Sequence, residues 1–269
     1  MFDTGEVTAS PSPFLHQADA DQRSTLRRLS ELIRPLTLAA DRRLPVAESL
    51  AALLPDGALE RGSVLQVTGV GATSLALALV AAASQEGSWS AVVGLGELAL
   101  VAADEHGVAL GRLALIEVSG WRRCAEVVAA LIDGMDFVLL DARAELRAVE
   151  IRRVTARMRE QGSVLLLVDP GLPRPSSATI RSTSRSVLSQ SADGWSPDVV
   201  LRLGSPQWSG VGQGHGLLRH RRVVIEASGR GRSARPRRLE VLLPDDHGSI
   251  ASTSPDAPSI LGRGHRVAG

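Results

Sequence analysis

Lysine, asparagine and tyrosine are absent from this 269-residue sequence, so arginine supplies every one of its 30 basic side chains other than histidine. Cys124 is the only cysteine, which excludes an intrachain disulfide and a metal cluster held by several thiolates. The histidines lack the spacing of a zinc-protease motif, and the GxSxG motif of serine hydrolases is missing. We therefore expect no metal, no cofactor and a protein suited to the reducing cytoplasm.

Long apolar runs are missing as well. The longest, from Leu75 to Ala83, falls well short of the roughly 20 residues that a membrane-spanning helix needs. The beginning of the sequence carries acidic residues and prolines where an export signal would need a basic start and an apolar run. With 44% apolar and 22% charged residues, the composition is typical of a globular protein without a membrane span.

The pattern of the chain predicts three parts. Residues 1–44 comprise a polar segment and an amphipathic helix, in which leucines recur at helical spacing. This helix either covers an edge of the core or docks on a partner. Residues 45–245 form the core domain, and residues 246–269 lack periodicity and are expected to be a disordered tail.

The core domain has the pattern of an α/β fold. Short apolar segments such as SVLQVTG, DFVLLD and SVLLLVD alternate with helical segments, which predicts a mostly parallel sheet covered by helices on both faces. After a stretch rich in proline, serine and arginine, the β-like segments PDVVLRL, HGLLRHRRVVIEAS and RRLEVLLP follow without helices between them. We expect these to extend the sheet with antiparallel strands.

A glycine turn between the first long strand and its helix marks the position of a phosphate-binding loop. The sequence there is VTGVGATS, whereas a working loop of the form GxxxxGK[ST] wraps a phosphate in backbone amides and adds a lysine. Only one residue separates the two glycines, and alanine replaces the lysine. The residues of this vestigial nucleotide-binding loop are Gly69, Gly71, Ala72, Thr73 and Ser74. We favour a tight turn that packs the helix on the sheet.

Several segments in this order resemble the core of the RecA recombinases. LPVAESLAALLPDGALERGSVLQVTG is similar to the beginning of that core, and MDFVLLDARAEL is similar to the strand that ends in the Walker B aspartate, here Asp141. Glu97, in GELAL, lies where RecA carries the glutamate that activates water. The strand SVLLLVD ends in Asp169-Pro170, where RecA has a polar pair that senses the γ-phosphate. Because proline lacks the backbone donor, the same relay is not expected.

Within that superfamily, the sequence most resembles the ImuA′/ImuA group of accessory proteins. The degenerate phosphate loop, the segment QWSGVGQGHGLLRHRRVVIEASGRGR and the ending ARPRRLEVLLP carry this resemblance. It implies a non-catalytic role in damage-induced translesion synthesis and induced mutagenesis, with an ImuB-like polymerase homologue as partner. RecA and an error-prone C-family DNA polymerase are further partners that the resemblance suggests, as is association with the nucleoid when DNA is damaged.

Two alternatives share this fold: a weak ATPase that binds single-stranded DNA, and a regulator of RecA filaments. Clustered arginines favour the DNA-binding ATPase, because guanidinium groups contact DNA phosphates whatever the base sequence. A solvent-exposed hairpin explains equally well why arginines cluster between residues 219 and 238. Trp208, in a turn with few apolar neighbours, is either a partner anchor or a cover for the sheet edge. The candidate DNA or partner contacts are Arg181, Arg185, Trp208, Arg219, Arg221, Arg222, Arg230 and Arg232.

Overall fold

The computed structural model describes residues 42–96, 98–118, 123–169, 171, 194–212 and 215–253. The predicted amphipathic helix within residues 1–44 lies outside these ranges, as do residues 254–269 of the predicted tail. Within the described part of the chain, no helix is long and apolar enough to cross a membrane.

Short strands alternate with helices along the first part of the chain, and strands alone follow. The strands are β1 (Arg43–Leu44), β2 (Leu59–Glu60), β3 (Val64–Thr68), β4 (Ser90–Val93), β5 (Leu113–Ile116), β6 (Phe137–Asp141), β7 (Val164–Asp169), β8 (Val199–Leu203), β9 (Gln207–Gly212), β10 (His215–Gly229), β11 (Arg237–Leu242) and β12 (Ala251–Ser252). The helices are α1 (Glu48–Ala51), α2 (Ala72–Gln85), α3 (Leu100–Glu105), α4 (Cys124–Ile132) and α5 (Ala148–Gln161).

A ten-stranded sheet forms the centre of the domain, in the order β12-β11-β10-β8-β3-β7-β6-β4-β5, with β9 paired to β10. The strands from β8 to β5 in this order are all parallel to their neighbours. Strands β9, β10, β11 and β12 add antiparallel pairs. The predicted α/β class, with a parallel sheet extended by antiparallel strands, is confirmed.

Helices cover both faces of the sheet because its central strands are apolar on both sides. Along β7, Leu166 and Val168 pack in the same cluster as the apolar side chains of α2. The alternate residues Leu165 and Leu167 pack on the other face, with α4 and α5. This two-sided burial explains why the strands are continuous apolar runs rather than alternating ones.

Strand β10 continues beyond the parallel strands. Residues 225–229 pair with β8, while residues 215–222 pair with β9, which follows β8 after a short turn. Because β10 runs antiparallel to β8, its first half lies at the carboxyl end of β8. The hairpin of β9 and β10 therefore stands at the sheet edge where the phosphate-binding turn of an α/β protein lies.

The segment after β11 is ordered, contrary to the expectation of a tail that is disordered from residue 246. The Asp245 carboxylate accepts hydrogen bonds from the backbone N–H groups of His247 (2.8 Å) and Ser249 (2.9 Å), and β12 then pairs with β11. Ile250 packs against the core cluster. The expectation was wrong for residues 246–253 because these contacts depend on tertiary neighbours and leave no periodic pattern in so short a segment.

The turn between β3 and α2 is tight because it packs directly on strand β8. Gly69 has a φ of +112°, and a Cβ atom there would lie 2.7 Å from the carbonyl oxygen of Leu203. Gly87, at the end of α2, has a similar φ of +103° but no heavy atom within 4 Å of a Cβ position. Alanine substitutions at the two glycines therefore separate the free-energy cost of a left-handed backbone from the cost of a steric clash with β8.

Gly69→Ala is expected to lower the free energy of unfolding by about 2–4 kcal/mol, because the new methyl group must displace the β8 backbone. Gly87→Ala should cost only about 1 kcal/mol, since it adds a methyl group in open space. Urea denaturation of the two variants and the wild type measures both values. Equal losses would show that the turn does not depend on close packing against β8.

His106, which follows α3, is buried, and its Nδ1 has no hydrogen-bond partner among the described residues. Burial, assisted by the positive charge of Arg221, lowers the pKa of His106 to about 4, while Asp245 opposes the shift. The ordinary pKa of histidine is about 6.5. The unfolded chain therefore binds this proton at a higher pH than the folded protein does.

Stability should consequently fall as the pH decreases from about 6.5 to about 4, with a total contribution from His106 of roughly 3 kcal/mol. His106→Gln cannot take up the proton and should lose this part of the pH dependence. His247→Gln, at an exposed histidine, should retain it. Chemical denaturation at a series of pH values tests the assignment, which fails if the wild type and His106→Gln have parallel profiles.

Candidate functional site

The glycine turn lies at the carboxyl edge of the sheet, as its sequence predicts. Strand β3 ends at Thr68, Gly69 donates its N–H to the carbonyl oxygen of Asp169 at 3.1 Å, and α2 begins at Ala72. Gly71 is the residue before the helix and has a φ of +95°. Thr73 and Ser74 belong to the first turn of α2, so their backbone N–H groups lie at the positive end of the helix.

The guanidinium group of Arg221 packs on this turn. A Cβ atom at Gly71 would lie 2.5 Å from Nη1 of Arg221 and even closer to Nη2, so a side chain at this position would displace the guanidinium. Arg221 is buried on β10, where its Nε donates to the carbonyl oxygen of Leu243. The structure therefore brings one of the predicted late arginines to the vestigial phosphate loop.

Trp208 also contacts Arg221. It lies directly opposite Arg221 in the pairing of β9 with β10, and its ring centroid is 5.5 Å from the guanidinium carbon. The indole is 48% exposed, so it combines a cation–π contact with a surface position. The ring therefore packs on the β9–β10 hairpin, as one of the two interpretations expects, and its contact with a partner stays a prediction.

Asp141, at the end of β6, is bound by an arginine two residues further along the chain. Its carboxylate is almost fully buried, and Arg143 donates to both oxygens, from Nε to Oδ1 at 2.8 Å and from Nη2 to Oδ2 at 2.8 Å. The backbone N–H of Arg143 adds a third hydrogen bond to Oδ1 at 2.9 Å. This forked pair satisfies the carboxylate inside the protein.

Most of the remaining predicted arginines in the described part of the chain pair with acids from other elements. Arg222 contacts Glu240 at 3.1 Å, Arg230 contacts Asp198 at 2.9 Å, and Arg232 pairs with Asp56. Arg219 is exposed on β10. The structure thus distributes these side chains over several ion pairs and does not gather them around one groove. Glu97, Arg181 and Arg185 lie outside the described residues.

Two residues of this site were not predicted from the sequence. Arg143 lies in the segment MDFVLLDARAEL, two residues after the aspartate that ends the strand. This short spacing is a local signal that could have revealed the pair. His106 gave no signal, because its proximity to Arg221 depends on residues far apart in the chain.

The comparisons with known proteins agree with this architecture. Residues 52–174 match the family model described as the MT3502 N-terminal domain. Uncharacterized protein Rv3395c of Mycobacterium tuberculosis is 37% identical over 156 residues, which are 56% of this chain and 74% of that protein.

The crystal structure of the RadB recombinase superposes with a TM-score of 0.54 at 16% identity, covering 77% of this chain and 97% of that one. At this level of identity the likeness establishes the fold, which is RecA-like, and not an activity. From the identity and coverage shared with the mycobacterial relative, the chain belongs to the same family as that mycobacterial protein, and its residues 52–174 match the MT3502 N-terminal domain.

Proposed function

We propose that this protein is a non-catalytic, RecA-like accessory protein of damage-induced translesion DNA synthesis. In this proposal it acts through contacts with an ImuB-like polymerase homologue, as the resemblance to the ImuA′/ImuA group implies. The RecA-like fold supports the relation to recombination and repair proteins. The site at the carboxyl edge of the sheet supports the absence of catalysis.

The observation that carries the proposal is the pairing of Asp141 with Arg143. In ATPases with a phosphate-binding loop, the carboxylate at the end of this strand helps to hold the magnesium ion of the bound nucleotide. Here both oxygens already accept hydrogen bonds from one guanidinium, which also brings a positive charge to the place of the metal. A magnesium ion would have to displace Arg143 and leave that charge nearby.

The loop itself also does not fit a triphosphate. The single residue between Gly69 and Gly71 leaves too few backbone amides to surround a β-phosphate, and Ala72 cannot supply the charge of a lysine. Arg221, the cation that does approach the loop, is packed against Gly71 and hydrogen-bonded to Leu243. We therefore derive no step of ATP hydrolysis for this protein.

The proposal predicts that the purified chain neither binds magnesium–ATP tightly nor hydrolyses it, with or without single-stranded DNA. Calorimetric titration and a phosphate-release assay measure the two properties. Removal of the Arg143 guanidinium by Arg143→Ala should not create hydrolysis, because the lysine and the longer loop are still missing. DNA-stimulated hydrolysis by the wild type that is lost in Asp141→Ala would establish the ATPase alternative instead.

If the pair of Asp141 and Arg143 serves the fold, breaking it should cost stability. Arg143→Ala leaves a buried carboxylate with one backbone donor, and we expect a loss of about 1–3 kcal/mol after allowing for the partial exposure of Arg143. Arg157→Ala, which breaks an exposed pair with Asp133, is the matched control and should have a smaller effect.

A double-mutant cycle with Asp141→Asn and Arg143→Ala, followed by urea denaturation, gives the coupling between the two side chains. Strong coupling is expected for a structural pair. Additive effects would mean that Asp141 does not depend on Arg143, which would remove the observation on which the non-catalytic role rests.

For the partner, Trp208 is the proposed anchor, because it is half-exposed on the β9–β10 hairpin and held in place by Arg221. Trp89 offers a matched control: it is 40% exposed and also stacks with an arginine, Arg112, at 5.1 Å. Large aromatic side chains of this kind often dominate binding energy at interfaces.

Trp208→Ala should weaken co-purification of an ImuB-like partner from damaged cells by at least tenfold, whereas Trp89→Ala should leave it unchanged. Thermal melts of both variants check that the fold is retained. If RecA co-purifies and no polymerase homologue does, the filament-regulator alternative replaces the proposed role. Equal capture by both variants would remove Trp208 as the anchor.

A further inference from the structure

Arg221 carries a buried positive charge that the described part of the protein does not neutralise. Its side chain is 6% exposed, and its Nη2 is fully buried without a hydrogen-bond partner among the described residues. Among the described residues, the guanidinium makes one hydrogen bond, from Nε to the neutral carbonyl oxygen of Leu243, and stacks with the uncharged indole of Trp208. Burial lowers the pKa of Arg221, in keeping with the cost of a desolvated cation. An unpaired buried charge is unfavourable unless a counter-charge is supplied.

Among the described residues, Trp208 is the favourable neighbour of the Arg221 charge, and the other groups that bear on it supply no opposite charge. Its guanidinium lies against Gly71, the residue that precedes α2, and the amino end of a helix carries a partial positive charge. His106 is neutral at physiological pH, and the Asp245 carboxylate is engaged with backbone N–H groups of its own turn. Two sources of positive potential therefore meet at one point of the fold.

We propose that Arg221 and the amino end of α2 bind one phosphate group. The guanidinium offers two adjacent donors at Nη1 and Nη2, and the backbone N–H groups of Thr73 and Ser74 lie in the first turn of the helix, where anions bind. The hydroxyl groups of the same two residues are further donors. Val70, in the turn, is 45% exposed, so solvent reaches the outer side of the loop.

The few donor groups at this site are enough for a single phosphate group but not for a triphosphate. One tetrahedral oxyanion needs a guanidinium and the end of a helix, whereas a chain of three phosphates needs a longer loop and a magnesium ion. The phosphate group belongs either to free inorganic phosphate or to a mononucleotide. The site does not depend on the accessory role, since it rests on Arg221 and α2 alone.

Inorganic phosphate is the probe, added to the full chain at constant ionic strength with chloride as the balancing anion. In the wild type, ¹⁵N-resolved NMR should show saturable shifts of the backbone amides of residues 70–75. This measurement needs no variant, so it stays decisive even if a substitution at Arg221 unfolds the protein. The absence of saturable shifts at these amides would overturn the proposal.

Arg221→Gln removes the charge and the fork, and should weaken phosphate binding at least tenfold in calorimetry. Arg221→Lys keeps the charge without the fork and should give an intermediate affinity. Arg222→Gln is the matched control, because it is the next residue on β10 and pairs with Glu240 instead. Equal phosphate affinity in Arg221→Gln and the wild type would refute the role of Arg221.

Parallel titrations with adenosine monophosphate and magnesium–ATP identify the source of the phosphate. They also test the phosphate site separately from the non-catalytic accessory role. Binding of inorganic phosphate alone assigns the free ion, and tighter binding of the monophosphate assigns a nucleotide. Tight binding and hydrolysis of magnesium–ATP would overturn the non-catalytic role but not the use of Arg221. If inorganic phosphate causes no saturable shifts of the amides of residues 70–75, the phosphate site is refuted, but the accessory role is not.

Discussion

The close packing of the turn between β3 and α2 is the constraint on which the rest of this site depends. On one side Gly69 lies against the backbone of Leu203 in β8, and on the other Gly71 lies against the guanidinium of Arg221. Neither contact leaves space for a side chain. The same turn that positions a phosphate in a nucleotide-binding protein is here a packing element between the parallel sheet and its antiparallel extension.

This packing gives the antiparallel strands a specific function in the fold. Strand β10 completes the sheet beside β8 and also carries Arg221 to the amino end of α2. The segment after β11 then contacts Arg221, with Leu243 accepting a hydrogen bond from its side chain and Pro244 one from its backbone N–H. The chemistry of the turn therefore depends on residues such as Arg221 and Leu243, which lie outside the family match at residues 52–174.

Several arginines in the described part of the chain are paired with acids. Asp141 is held by Arg143, and the acids Asp198 and Asp56 bind Arg230 and Arg232. A guanidinium fork can donate to both oxygens of a carboxylate at once, which the ammonium group of a lysine cannot do. This chain contains arginine but no lysine. Arg221 departs from that pattern, since its guanidinium meets a helix end instead of a carboxylate.

The sequence by itself determined the α/β class, the order of the strands from β3 to β7 and of the helices between them, the antiparallel extension and the position of the glycine turn. These features follow from local patterns: continuous apolar strands, helical spacing and glycines at a strand end. Asp141 was placed correctly at the end of its strand for the same reason. The sequence placed Trp208 in a turn, whereas Gln207–Gly212 form strand β9. Only the tertiary structure decided that Arg221 lies on Gly71, that His106 is buried beside it and that residues 246–253 are ordered. Each of these depends on contacts between residues far apart in the chain, and such contacts leave no periodic signal in a single sequence.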